Sequence, residues 1–255
     1  MAPVLWHIEV SHYNEKVRWA LDYKGIAYER RTPLPGLHGF SAMALTRSSH
    51  RRLPVLVLGG RTIADSTAII AALEDYQPEP SLYPDEPEHR ATALELEDFF
   101  DEELAPYVRR YIWQHTLGDT EAVVDSVLTD SGPGRKRAMR VLLPLARPIV
   151  RRDYAVSEAA AAEARGKIHA AMDLVESRLG GGDYLVGDRF SVADLTGAAL
   201  FTPVLAPPER EFAPKRVAPE VQALREELEA RPGGQWVAEM FARHRSRTAA
   251  TTGRG

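Results

Sequence analysis

The chain contains no cysteine. Disulfides, thiolate zinc sites and any redox cycle through the protein's own sulfur are therefore excluded. No apolar run approaches the ~20 residues of a membrane span. The start, MAPVLWHIEV, lacks a basic segment followed by an apolar core, so no secretory signal is expected. The expectation is a cytoplasmic protein with no membrane partner. The eight histidines are scattered, with no pair at i, i+4, and no metal site is expected. A formal net charge of -4 supplies no global positive field, so nucleic acid is not an expected partner either. Lysine is scarce, at Lys16, Lys24, Lys136, Lys167 and Lys215 only, and arginine far outnumbers it. We read that as the mark of a GC-rich genome rather than of a binding surface.

What is present is enough for one large domain or two small ones: 255 residues, 44% of them hydrophobic. Val4 to Ile8 is a short apolar run and reads as a buried strand. From Tyr13 to Lys24 the period becomes helical, with Val17, Ala20, Leu21 and Lys24 on one stripe and Gly25 as the stop. Ile26 to Arg31 reads as a second strand. The stretch TPLPGLHGF follows, then a weak helical turn at Ala42 to Leu45. Val55 to Leu58 and Arg61 to Ala64 flank Gly59-Gly60, a hairpin signal because both turn residues need positive φ. Asp65 or Ser66 then caps a helix whose apolar face includes Ala68, Ile69, Ala72 and Leu73.

Residues 77–88, QPEPSLYPDEPE, hold four prolines and read as a linker. Beyond them the pattern is helical: a long segment from Glu88 to Leu117, bent near Pro106, then 135–152, 157–179, 191–205 and 219–230. In GDRFSVADL, Ser191 and Asp194 have capping-box spacing, and Phe190 and Leu195 fit a hydrophobic staple. The last ten residues, SRTAATTGRG, are expected to be disordered.

Three segments carry a resemblance to the soluble glutathione transferase family over roughly residues 3 to 240: SHYNEKVRWAL, RRLPVLVLGGRTIADSTAII and YLVGDRFSVADL. The resemblance implies a thioredoxin-like glutathione-binding domain at 1–76, a linker at 77–88, an all-helical domain at 89–245 and a disordered tail at 246–255. The fold class is therefore α/β followed by all-α. It also implies a homodimer, glutathione as co-substrate and a small electrophilic substrate, in a detoxification enzyme.

Each segment has its physical reading. The Leu53–Pro54 bond is implied to be cis, leaving the Leu53 backbone as an edge for the cysteinyl backbone of glutathione. Ser66 stands at a helix N-terminus, which favours a carboxylate, and Asp65 beside it suits an ammonium group. Both charges meet on one carbon at the γ-glutamyl end of glutathione. His38 and Arg52 flank the implied groove and could contact the glycyl carboxylate. The catalytic position falls on Ser11, whose hydroxyl would donate to the bound sulfur. A free thiol has a pKa near 8.5, and such a bond, with the helix N-terminus behind it, lowers that value. Tyr13 and Asn14 lie within a helical turn of the same spot and are rivals for the sulfur. Two positions depart from the family: His12 replaces a common proline, and Asn14 stands where redox members have a second cysteine.

Three functions fit these residues. The first is conjugation of glutathione to a small electrophile. The second retains glutathione for isomerisation, reductive cleavage or biosynthetic tailoring. The third is a binding or assembly protein that has kept only the fold. Some GC-rich bacteria use another thiol, so the thiol itself also stands open.

Overall fold

In a computed structural model, which describes residues 2–33, 38–128, 131–245 and 248–251, the chain forms a mixed sheet followed by a helical array. The elements are β1 (Val4–Trp6), α1 (His12–Tyr23), β2 (Tyr28–Arg31), α2 (His38–Leu45), β3 (Val55–Leu58), β4 (Arg61–Ala64) and α3 (Ser66–Tyr76). Then come α4 (Pro87–Phe99), a π-helical turn (Phe100–Leu104), α5 (Ala105–Thr116), α6 (Thr120–Val127), α7 (Pro133–Asp153), α8 (Glu158–Leu179), α9 (Val192–Leu205), α10 (Pro219–Glu229) and α11 (Pro232–His244). A last short strand, β5, is Ala250–Thr251. This is a thioredoxin-like N-terminal domain followed by a helical domain.

The sheet order is β4-β3-β1-β2-β5. β1 runs parallel to β2 and antiparallel to β3, with Leu5 opposite Leu56. The turn between β3 and β4 is made by Gly59 and Gly60 at φ 57° and 82°, the left-handed pair that the two-glycine hairpin requires. Gly25, at φ 65°, follows α1.

Residues 248–251 correct the expectation of a wholly disordered tail. Ala250 and Thr251 pair with Tyr28 and Glu29 of β2, and Ala249 N–H donates to Asp22 Oδ1 at 2.7 Å. The polar tail gains backbone ladder bonds and a buried carboxylate partner, which composition does not show. The rest of that tail lies outside the described residues. The long helical segment is interrupted as expected, but the break is the π-turn at Phe100–Leu104, ahead of Pro106. π-turns commonly mark functional sites. Two helices, α6 and α11, had no counterpart in the sequence reading.

The two domains share a core. α9 is buried along almost its whole length and packs on α1. Trp19 lies 4.3 Å from the Phe241 ring and 5.6 Å from Phe190, and its indole N–H donates to His244 O. The Ser191–Asp194 capping box is formed. Asp194 also accepts from Leu185 N–H at 2.8 Å; burial pushes its carboxyl up to about 6 in spite of that bond.

Charge is buried here too. Arg18 donates to Glu15 at 2.6 Å, and Arg245 bridges Glu15 and Asp22 at 2.7 Å each. Lys16 pairs with Asp101 at 2.6 Å and Glu97 at 2.8 Å. Thr67 donates to the same Asp101 oxygen. α1 and α3 are thereby tied to α4 and the π-turn. Burial alone would lower the Lys16 pKa, but the two carboxylates outweigh it and keep the ammonium charged.

Candidate functional site

A cleft of about 730 Å³ opens between the domains. Ser11, Leu53, Pro54, Asp65, Ser66, Arg52 and His38 all line it. The seven come from four separate stretches of chain, and the fold brings them to one cleft.

Ser11 is the residue before α1, in extended backbone (φ -70°, ψ 126°), and its side chain makes no capping bond to the helix. Its hydroxyl is thus left to the cleft. Its carbonyl accepts from Glu15 N–H at 2.9 Å, which starts the helix. Leu53–Pro54 is cis, and Leu53 precedes β3 with no backbone partner for its N–H among the described residues.

Asp65 holds φ at 80° and ψ at 134°, a positive-φ conformation outside the left-handed helical well and sparsely populated by residues other than glycine. Its Oδ1 accepts from both Thr67 N–H and Ala68 N–H. Asp65 lines the cleft, and no hydrogen bond to its Oδ2 is found among the described residues. Ser66 is the first residue of α3 and is buried. An ammonium and a carboxylate on one carbon match this pair. His38, at the start of α2, has its pKa lowered by burial.

Asn14 does not line the cleft. It is fully buried, and its Nδ2 donates to the Leu53 carbonyl at 3.4 Å, from behind the wall. Ser11 stands ahead of the helix in extended backbone, whereas Asn14 is inside its first turn and packs against Leu53. Tyr13 lines the cleft, but its hydroxyl donates to Asp101 O at 2.7 Å. Burial pushes its phenol well above the ordinary range. Of the three rivals for the sulfur, Ser11 alone presents an uncommitted donor.

The helical domain supplies the other side of the cleft. Its wall is Ile112 and Trp113 of α5, with Met139, Leu143 and Val150 of α7. In the aromatic stretch from Tyr107 to His115, Trp113 stacks on Tyr154 at 6.0 Å. Tyr111 turns away and donates to Glu220 O. His12, Arg109 and Arg210 also reach the cleft. His12 is buried, and burial with the neighbouring Arg109 and Arg210 guanidiniums holds its pKa far down, so the ring is neutral. Nothing in the spacing of the arginines singles out these two. Among the described residues no group of acidic and histidine side chains could hold a metal ion, and no helix is long and apolar enough to cross a membrane.

Comparison with known proteins bears on the same residues. A model of the glutathione S-transferase N-terminal domain matches residues 5–81, and one of the glutathione S-transferase C-terminal domain matches residues 137–232. The chain is 34% identical over 108 residues to a maleylacetoacetate isomerase of Rattus norvegicus, covering 41% of this chain and 50% of that protein. It is 28% identical over 106 residues to a probable glutathione S-transferase of Nicotiana tabacum, covering 42% and 46%. The chain thus spans about half the length of the curated relatives it matches. A glutathione S-transferase of Methylobacterium radiotolerans, solved in complex with glutathione sulfonate, superposes over 100% of both chains with a TM-score of 0.56 and 25% identity.

Proposed function

The chain belongs to the glutathione S-transferase family, and from that premise we propose that it binds glutathione in the cleft, holds the sulfur as a thiolate and delivers it to a small electrophile. The observation that carries this reading is Ser11. Ser11 lines the cleft at the N-terminus of α1, and its side chain makes no capping bond. A hydroxyl donor and a helix N-terminus both favour the charged form of a bound sulfur. The role is stabilisation rather than proton abstraction, because serine is too weak a base.

The rest of the tripeptide follows from the cleft. Asp65 and Ser66 take the γ-glutamyl end, the Leu53 backbone takes the cysteinyl peptide, and Arg52 with His38 takes the glycyl carboxylate. Asn14 serves by holding the Leu53 carbonyl rather than by touching glutathione. In this reading residues 1–76 are the glutathione-binding domain and 89–245 the domain that shapes the electrophile pocket. Two copies associate, the first domain of one against the helical domain of the other. Sedimentation at micromolar concentration should exceed the 28.3 kDa of a single chain.

The test is calorimetric titration with glutathione and with other cellular thiols, followed by a panel of electrophiles. Glutathione should bind and be consumed. Binding of another thiol in its place, or of none, would remove the proposal. A second reading, isomerisation, is favoured by the similarity to proteins named maleylacetoacetate isomerase. Both reactions begin with addition of the thiolate to an electrophilic carbon, and thiol consumption separates them. Conjugation uses one thiol per turnover, whereas isomerisation returns it.

A further inference from the structure

Three side chains at the cleft, Arg109 and Arg210 of the helical domain and His12 of α1, each carry a buried nitrogen with no hydrogen-bond partner among the described residues. Arg109, on α5, has a buried Nε with no hydrogen bond. Among the described residues its guanidinium makes no hydrogen bond and no ion pair. Its contacts are ring faces, Tyr154 at 4.7 Å and Tyr13 at 5.9 Å. The other charges that bear on it are Arg52 and Arg110, both positive. Arg210 donates to Thr202 O at 2.8 Å and to Val10 O at 2.7 Å, but among the described residues its buried Nε is unpartnered and no carboxylate forms an ion pair with it. His12, 4% exposed, has an unpartnered Nε2 and lies beside both arginines.

This is not how the chain treats its other buried arginines. Arg18 has Glu15, and Arg245 has Glu15 and Asp22. Arg109 is half-buried, with its Nε enclosed and no carboxylate beside it among the described residues, and a partly desolvated guanidinium without a counter-charge favours an anionic ligand at the cleft. Arg210 has a structural task, holding the carbonyl next to Ser11. Arg109 has none: two aromatic rings hold its fork in place with its donors empty.

We propose that Arg109, backed by Arg210 and His12, is an anion subsite, and that the second substrate is an electrophile carrying a carboxylate. The proposal rests on the glutathione reading above and names the substrate class within it. The planar fork of arginine suits a carboxylate. The apolar wall of Met139, Leu143 and Val150 suits the carbon skeleton. There is also a chemical reason for the pairing. An ionised carboxylate repels an incoming thiolate and makes a conjugated carbon less electrophilic, and a guanidinium on that carboxylate offsets both effects. For an unsaturated acid, the sulfur lone pair forms the C–S bond and the C=C electron pair moves to the neighbouring carbon. That carbon either takes a proton from solvent, giving the conjugate, or the pair re-forms the double bond after rotation and expels the thiolate, giving the isomer.

The test uses the full-length protein and stable conjugates: S-(2-carboxyethyl)-, S-(3-carboxypropyl)- and S-(4-carboxybenzyl)glutathione, each against its carboxamide, with glutathione itself as reference. At least one acid should bind about tenfold or more tighter than its amide, as expected of a charged hydrogen-bonded pair. Arg109→Gln should abolish that preference, leave glutathione affinity unchanged and lower thermal stability only slightly, since the lost charge gives up ring-face contacts with Tyr154 and Tyr13 but no carboxylate. Equal binding of every acid and amide while glutathione binds overturns the inference alone. So does a preference that survives Arg109→Gln, or a variant that merely raises the pH of thiolate formation, which would make Arg109 a sulfur-stabilising group. Failure of glutathione and all conjugates to bind overturns the inference together with its premise.

Discussion

The Tyr13 hydroxyl donates to the Asp101 carbonyl at 2.7 Å. This one bond links the residue after the active-site loop to the π-turn of the helical domain. It also commits the hydroxyl that sequence alone leaves as a candidate for the sulfur. Ser11, two residues earlier, stays uncommitted. Ser11→Ala should therefore raise the pH at which bound thiolate absorbance appears by about one to two units, roughly 1.4–2.7 kcal/mol of thiolate stabilisation. Affinity for the tripeptide should stay nearly intact. Tyr13→Phe should leave that titration unmoved and lower stability through the lost interdomain bond. The opposite pattern would reassign the sulfur contact to Tyr13.

Asp65 has two tasks, and they can be separated. Its Oδ1 caps α3, and loss of such a cap costs about 0.5–2 kcal/mol. Asp65→Ala would mix that loss with the loss of the ammonium partner. Asp65→Asn keeps an oxygen acceptor and a residue type that tolerates the positive φ. It should unfold close to the parent while binding glutathione about tenfold more weakly, the contribution of one charge-assisted bond. Unchanged affinity in the folded variant would take Asp65 out of the site.

Acid should be felt before the carboxylates titrate. His7 is buried, and burial with the Arg18 guanidinium, 3.0 Å from its Nδ1, lowers its pKa from 6.5 to about 2. The unfolded chain takes up the proton below pH 6.5, whereas the folded chain does not until about pH 2. His7 therefore contributes stability that is complete above pH 6.5 and declines as pH falls below it. By pH 5 the loss is about 2 kcal/mol. Urea unfolding of His7→Asn at pH 7 and pH 5 should show a smaller decline between the two than the parent. An equal decline would assign the acid sensitivity to other groups, His12 first among them.

Arg245 fastens the chain's C-terminal side to α1 through Glu15 and Asp22. Burial opposes charge on Glu15, yet Arg245 and Arg18 outweigh it and hold its pKa at about 2. Arg245→Met would leave Asp22 unpaired and Glu15 with Arg18 alone. A loss of roughly 3–5 kcal/mol is expected, read from the shift of the urea midpoint. A change below 1 kcal/mol would mean that the ion pairs only offset their own desolvation.

Much of the fold was determined by local pattern. The stripe of Val17, Ala20 and Leu21 makes α1, the two glycines make the β3–β4 hairpin, and Ser191 with Asp194 starts α9. Each rests on residues only a few positions apart, where backbone sterics and short-range hydrogen bonds decide the outcome. The grouping of Ser11, Pro54, Asp65 and Ser66 came from the resemblance to glutathione transferases rather than from local pattern, and the structure lines one cleft with all four. Three things only the tertiary structure decided. Which donor near the helix start is free depended on Asp101 and Leu53, 88 and 39 residues from the side chains they engage. Where the tail lies depended on an open edge of β2 and on Asp22. Which of many arginines lacks a counter-charge depended on what surrounds it after folding. Pairing and desolvation are properties of neighbours in space, and a residue's type does not reveal whether its partner will arrive.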